Sequence, residues 1–196
     1  VASTSTARQP SDRIAVIAID DQSIANIGRW PWSRDVHAKL IDQLAAAKAK
    51  TVVHTVFFFE PQLDRGLSFI RKMKGLLGAP GDAAGLPSDT HEQLTRVISE
   101  AEAALDTDSQ LANSFKNAGN VIVPSFFLLG EPQGKPDGPL PAYVLPSTLD
   151  DSGGFSMAAI TGQHAIESLG GAAAGVGHLN QLQDVDGAVR HSGVLA

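Results

Sequence analysis

An α/β fold is the class this sequence predicts: a single domain with a mixed, mostly parallel sheet flanked by helices and a C-terminal antiparallel hairpin. Three features predict it. Two apolar runs rich in β-branched and aromatic residues, 14–19 and 51–59, bracket a stretch with helical spacing. A third apolar run, 120–129, follows a long helical segment over 62–118. Near the end, Asp184-Val185-Asp186-Gly187 stands between two short extended stretches and is strong turn chemistry.

The bulk composition narrows the class of protein. At 196 residues, 43 % of them hydrophobic and 18 % charged, the chain can bury a core without covalent staples. Fifteen basic against twenty-one acidic residues give a net charge of −6, which argues against nucleic acid as a partner. Cysteine is absent, so disulfides, thiolate metal sites and a cysteine nucleophile are excluded together. The most apolar uncharged run, 118–130, is too short to cross a bilayer and contains Pro124.

Residues 1–12 read as a poorly ordered lead-in, and 13–196 as the domain. Run 14–19 is apolar on both faces, as a buried central strand would be, and Asp20 and Asp21 end it. Residues 22–27 suit a helical turn closed by Gly28. Ser33 is placed to cap a helix reaching about Lys48, with Asp35 in its first turn and Val36, Leu40, Ile41 and Leu44 on one face. Strand, helix and strand over 14–59 then read as a parallel βαβ unit with a right-handed crossover.

The inserted segment holds three helices, at 65–77, 89–105 and 108–118, with a loop by composition at 78–88. Run 120–129 is a buried strand, and 131–141, rich in proline and glycine, is a surface loop. In the weakly patterned last third, a helix is expected over 164–174, and strands over 175–181 and 188–195 form the hairpin.

Chemistry is sparse. Asp20 and Asp21 stand at the carboxyl end of the first run, where α/β sheets form ligand crevices. As neighbours on a strand they would point to opposite faces, and the alternative is one carboxylate capping the next turn and the other in solvent. Trp30-Pro31-Trp32 between Arg29 and Arg34 reads either as a cation–π ligand wall or as a rigid plug that seats the following helix. Asp184-x-Asp186-Gly187 opens like a calcium loop, but Arg190 stands where a ligand acid belongs, so a hairpin turn is the better account. The six histidines have no second ligand at i+3 or i+4, and His54 reads as a core histidine. Neither metal nor cofactor is expected. No phosphate loop, GxSxG or GxGxxG after a strand occurs, so no catalytic residue is assigned. If a ligand site exists, Asp20, Arg34 and Glu60 at the strand ends are its best candidates, with Arg190 second.

The run IAVIAIDDQSIANIGRWPWSRDVHAKLIDQLAAAKAK, followed by VVHTVFFFEP, resembles the CHASE-type-2 sensory domain. DTDSQLANSFKNAGNVIVP and the closing GVGHLNQLQDVDGAVRHSGVL resemble later segments of the same family. Its signature falls on Gly28, Trp30, Pro31 and Trp32 and, at the far end, on Asp186, Gly187 and Arg190. The resemblance implies an input domain lying outside the bacterial cytoplasmic membrane, in the periplasm, without enzymatic activity of its own. Flanking membrane helices would connect it to a nucleotide cyclase, diguanylate cyclase, phosphodiesterase or kinase, and both chain ends would face the membrane. Its implied partners are those helices, an unknown small-molecule ligand and a possible second copy. One departure stands out. Many members carry an aspartate in the second strand where this chain has His54-Thr55-Val56, so a site shared with Asp20 would be altered here and Phe57-Phe58-Phe59 would fill its space. A non-sensing dimerisation module is the rival reading.

Overall fold

The computed structural model describes residues 11–78, 87–131, 138–149, 157–183, 186 and 189–191. By its contacts the chain divides into two compact units, Val1–Trp32 and Ser33–Ala196, each described by itself.

In the first unit, residues 14–19 belong to no strand, and Ile14 and Val16 are 74 % and 88 % exposed. The expected buried central strand is therefore not formed. β-branched composition supplies only a propensity, and a strand exists only where a partner takes its backbone hydrogen bonds. Helix α1 (Asp21–Ile27) follows, capped by the Asp20 carboxylate, and Gly28 ends it at a φ of 126°, a region that favours glycine.

The second unit holds the α/β core. Helix α2 (Arg34–Ala46) lies before the sheet, and β1 (Val52–Val53) is far shorter than the expected 51–59 run. After His54, whose N–H reaches the Ile122 carbonyl, the chain leaves the sheet and turns Phe58 into the core. Three helices follow: α3 (Arg65–Leu77), α4 (Ser88–Leu105) and α5 (Thr107–Ala118). Helices α3 and α4 form a hairpin tied by Arg71 to Glu102 and Asp106 and by Lys74 to Glu102.

The centre of the sheet is β2 (Val121–Leu129), entered from α5 through Gly119 in the left-handed region. Its first half pairs in parallel with β1 on one edge and with β4 (Gly175–His178) on the other. Its second half pairs antiparallel with β3 (Ala159–Gln163), Phe126 opposite Gln163. The sheet is thus mixed and mostly parallel, as expected, but its parallel crossover runs β1–α3–α4–α5–β2 and not through α2. A 3-10 turn (Leu145–Ser147) contributes the Ser147 hydroxyl that receives the Val176 N–H. The expected helix over 164–174 shrinks to α6 (Glu167–Gly170), because β3 extends up to Gln163.

An antiparallel hairpin does close the chain, but from β5 (Leu182–Gln183) and β6 (Val189–His191), since 175–178 belongs to the main sheet. Asp186 lies in its turn. Gly187, Asp184 and both chain ends lie outside the described residues, as do the 79–86 part of the predicted loop and most of the one at 131–141. The core joins Ala38 and Ile41 of α2, Phe58, Leu111 and Phe115 of α5, Val121 and Val123 of β2, Ala165, and Leu169 of α6. Ile41, Phe58, Leu111, Phe115, Val121 and Leu169 are fully buried, each such side chain contributing about 1.5–3 kcal/mol.

Candidate functional site

Two helix N-termini, those of α2 and α5, are tied to one loop residue, Gln62. Ser33 makes no side-chain cap for α2. Instead the Gln62 Oε1 accepts the Arg34 N–H at 2.8 Å, together with the hydroxyls of Thr107 (3.1 Å) and Ser33 (3.4 Å). The Gln62 N–H donates to Asp108 Oδ2 at 2.8 Å, and the other oxygen of that carboxylate receives Arg34 Nε at 3.1 Å. The α5 terminus is further capped by Asp106, which accepts the Ser109 N–H. A carbonyl and two carboxylates therefore occupy the positive ends of both helices, which would otherwise attract anions.

Arg34 is held on three sides. Beyond Asp108, its Nη2 donates to the Glu60 carbonyl at 2.9 Å, and its guanidinium lies 4.4 Å above the Phe58 ring. The ion pair with Asp108 is only 14 % and 13 % exposed, so it is screened less than a surface pair. Beneath it, His37 and His54 pack ring against ring at 5.2 Å and both touch Phe58. Burial lowers both imidazoles to about 4, with the Arg34 charge adding to it, so both are neutral at pH 7. His54 Nδ1 accepts the Val56 N–H, which makes it the satisfied core histidine expected.

Beside this node lies a cavity of about 510 Å³ lined by Ser33, Asp35, Gln62, Asp64, Thr107 and Gln110, with Leu63, Ala104 and Leu105 as its apolar part. Asp64 caps α3 through the Gly66 N–H, and Asp35 pairs with Lys39, which together with the Ser33 hydroxyl keeps its carboxyl below the usual range. The lining offers acceptors and hydroxyls around an apolar patch, in a volume suited to a small molecule.

Of the residues expected from sequence, Arg34 and Glu60 meet, but through the Glu60 carbonyl; the Glu60 side chain is exposed. Asp20 spends its carboxylate on the N–H and hydroxyl of Ser23, which hold it below its ordinary range, so capping accounts for it. Trp30 and Trp32 pack edge to face at 5.4 Å, joined by a cis peptide bond at Pro31, and Trp32 Nε1 donates to the Gly28 carbonyl. Arg190 lies in β6, and its side chain is outside the described residues. Gln62 and Asp108 were missed. Asp108 had a readable signal as an acid in the first turn of α5; a glutamine in a loop had none. Phe58 fills the core as anticipated for the Phe57-Phe58-Phe59 run. Among the described residues, no three His, Asp or Glu side chains cluster as a metal site.

A family model described as the CHASE2 domain matches residues 2–196. The chain belongs to the CHASE2 domain family, whose members are extracellular sensory domains of receptors. No curated protein and no solved structure gives a match. Among the described residues, no helix is long and apolar enough to cross a membrane.

Proposed function

We propose that this chain is the input domain of a bacterial membrane receptor and lies on the periplasmic side of the inner membrane. The domain performs no chemistry itself. It senses a small polar ligand in the cleft beside Gln62 and passes its state through flanking membrane helices to a cytoplasmic cyclase, phosphodiesterase or kinase. The observation that carries this reading is the node of Gln62, Arg34 and Asp108: one loop residue couples the starts of two helices that pack on the central strand, next to a cavity of about 510 Å³. A ligand wedged there changes the distance between α2 and α5.

The test is a melting-temperature screen of the chain against small polar metabolites, repeated with Ala104→Trp, which fills the cleft from an exposed position on α4. A ligand at a hundredfold excess over its Kd adds about 2.7 kcal/mol, or roughly 5–10 °C for a chain of this size. A hit lost in the variant supports the reading. An empty screen, or hits that survive Ala104→Trp, overturns it.

A second reading, an assembly module that dimerises and holds output domains together, is favoured by one observation. Phe69, Met73 and Leu76 form an exposed apolar stripe on α3 at helical spacing, and Leu94 and Val97 form a shorter one on α4. Phe69→Glu would dissociate such a dimer in analytical ultracentrifugation, and a wild-type chain sedimenting as a monomer would remove this reading.

A further inference from the structure

Helix α3 differs from the rest of the chain in charge. Its sequence, RGLSFIRKMKGLL, holds the cations Arg65, Arg71, Lys72 and Lys74 and no acid, in a chain of net charge −6. The helix packed against it, α4, has Asp89, Glu92, Glu100 and Glu102 against the single cation Arg96. At about 100° per residue, Arg65, Phe69, Lys72, Met73 and Leu76 fall within an arc of roughly 100° on α3. Leu67 lies on the opposite side of the helix and is 6 % exposed. Arg71 and Lys74 also turn away from the arc and are tied to Glu102 and Asp106. The arc is therefore the outer face of α3.

That face joins exposed apolar side chains to two cations. Phe69, Met73 and Leu76 are 68 %, 43 % and 55 % exposed. Arg65 and Lys72 run along one margin of the stripe, and among the described residues neither is in an ion pair. The neighbouring acid, Asp64, is spent on the Gly66 N–H at the start of the helix. Exposed apolar side chains bordered by arginine and lysine, with no acid among them, are the chemistry of a helix lying in an anionic lipid surface. A second copy is a poorer occupant. Packing α3 on its own counterpart would bring the same cations together with no acid to meet them. The outer face of α4, opposite buried Ile98, is acidic through Asp89, Glu92 and Glu100 but has no large apolar residue to receive Phe69. Three apolar side chains are also few for the roughly 800 Å² per partner that a stable dimer buries.

We propose that α3 docks on an anionic phospholipid bilayer, with Phe69, Met73 and Leu76 in the boundary between headgroups and acyl chains and Arg65 and Lys72 on lipid phosphates. The helix axis lies parallel to the surface, because residues 65 to 76, spread over about three turns, touch it together. The long stems of Arg65 and Lys72 keep their charged heads at phosphate level while the Phe69 ring sinks below them. This inference rests on the reading that the domain stands beside the inner membrane. None of the five residues lines the ligand cleft. In the receptor the contact adds to the tether that the flanking membrane helices already supply.

The test is titration of the full chain with vesicles of phosphatidylglycerol and phosphatidylcholine in equal parts, read by an environment-sensitive fluorophore on Met73→Cys, the only thiol in a chain without cysteine. The expected result is a saturable blue shift that phosphatidylcholine alone fails to give and that rising salt reverses. The same label on Glu100→Cys, exposed on α4, should stay unshifted. In the labelled chain, Arg65→Gln and Lys72→Gln should each weaken binding by about fivefold, and Phe69→Ser by about tenfold or more. These positions are exposed, and circular dichroism checks that the variants fold. Ala104→Trp, which fills the cleft, should bind vesicles as wild type, so a chain that senses a ligand but ignores vesicles refutes this inference alone. No shift with anionic vesicles, an equal shift with phosphatidylcholine alone, or undiminished binding in folded Phe69→Ser overturns the proposal. So does a shift without lipid that grows with protein concentration, as a second copy covering the face would give.

Discussion

Acid should unfold this domain partly through the pair of imidazoles beneath Arg34, and His54 is the residue with which to measure it. His37 and His54 are 3 % and 8 % exposed, and burial lowers both from 6.5 to about 4. The sign follows from the unfolded chain, which takes up the proton near pH 6.5 while the folded chain refuses it. The stability held by each neutral ring is therefore complete above pH 6.5 and is lost as the pH falls toward 4. A site moving from 6.5 to about 4 loses roughly 3 kcal/mol between pH 7 and pH 4, a large share of a typical domain stability of 5–15 kcal/mol. The rings lie 5.2 Å apart and Arg34 adds its charge, so neither can protonate in place cheaply. His54→Asn removes one titration while keeping an acceptor for the Val56 N–H that His54 Nδ1 now receives. Urea denaturation at pH 7, 5.5 and 4 on both proteins should show the wild type losing stability faster by about 1 kcal/mol per pH unit over this window. The absolute cost of the substitution does not enter, because only the slopes are compared. Parallel slopes would refute the assignment of buried, neutral imidazoles.

Two further predictions concern packing and the helix starts. Gln62→Leu removes the acceptor that caps α2 and leaves the Arg34 N–H and Thr107 hydroxyl without it, costing about 2 kcal/mol; a melting temperature within a degree of wild type would contradict the role given to Gln62. Gly170→Ala would place a methyl group 2.2 Å from the Tyr143 ring, whose hydroxyl donates to the Ala165 carbonyl. It should cost about 1–3 kcal/mol by overpacking, read as a lower denaturation midpoint, and an unchanged midpoint would show that the ring yields freely.

The fold class could be read from sequence because β2 and α5 state themselves locally. Residues 121–129 combine apolar and β-branched side chains over a full strand length, and α5 has acids at its start, Lys116 in its last turn and Gly119 at its end. What failed was pairing, which no local pattern encodes. Residues 14–19 have the composition of a buried strand yet stand exposed, and 51–59 has it yet contributes two strand residues before Phe58 turns inward. Strand β3 went unseen because it carries Gly162, a weak strand former needed for the close approach of His164 and Phe127. For the site, Arg34 was a candidate by its place near the carboxyl ends of the first two apolar runs, and it reaches Glu60 only through that residue's carbonyl. Gln62 was not, because its role exists only once the loop folds back across α2 and α5.

The central claim is that the cleft beside Gln62 is the sensing element, and the output activity of the full-length receptor in membranes tests it most directly. With the receptor folded and inserted, Ala104→Trp should shift the basal output of the cytoplasmic domain by filling the cleft, while Phe69→Glu on the exposed α3 stripe leaves it unchanged. The reverse pattern, output indifferent to Ala104→Trp and altered by Phe69→Glu, would contradict the sensing account and favour assembly through α3.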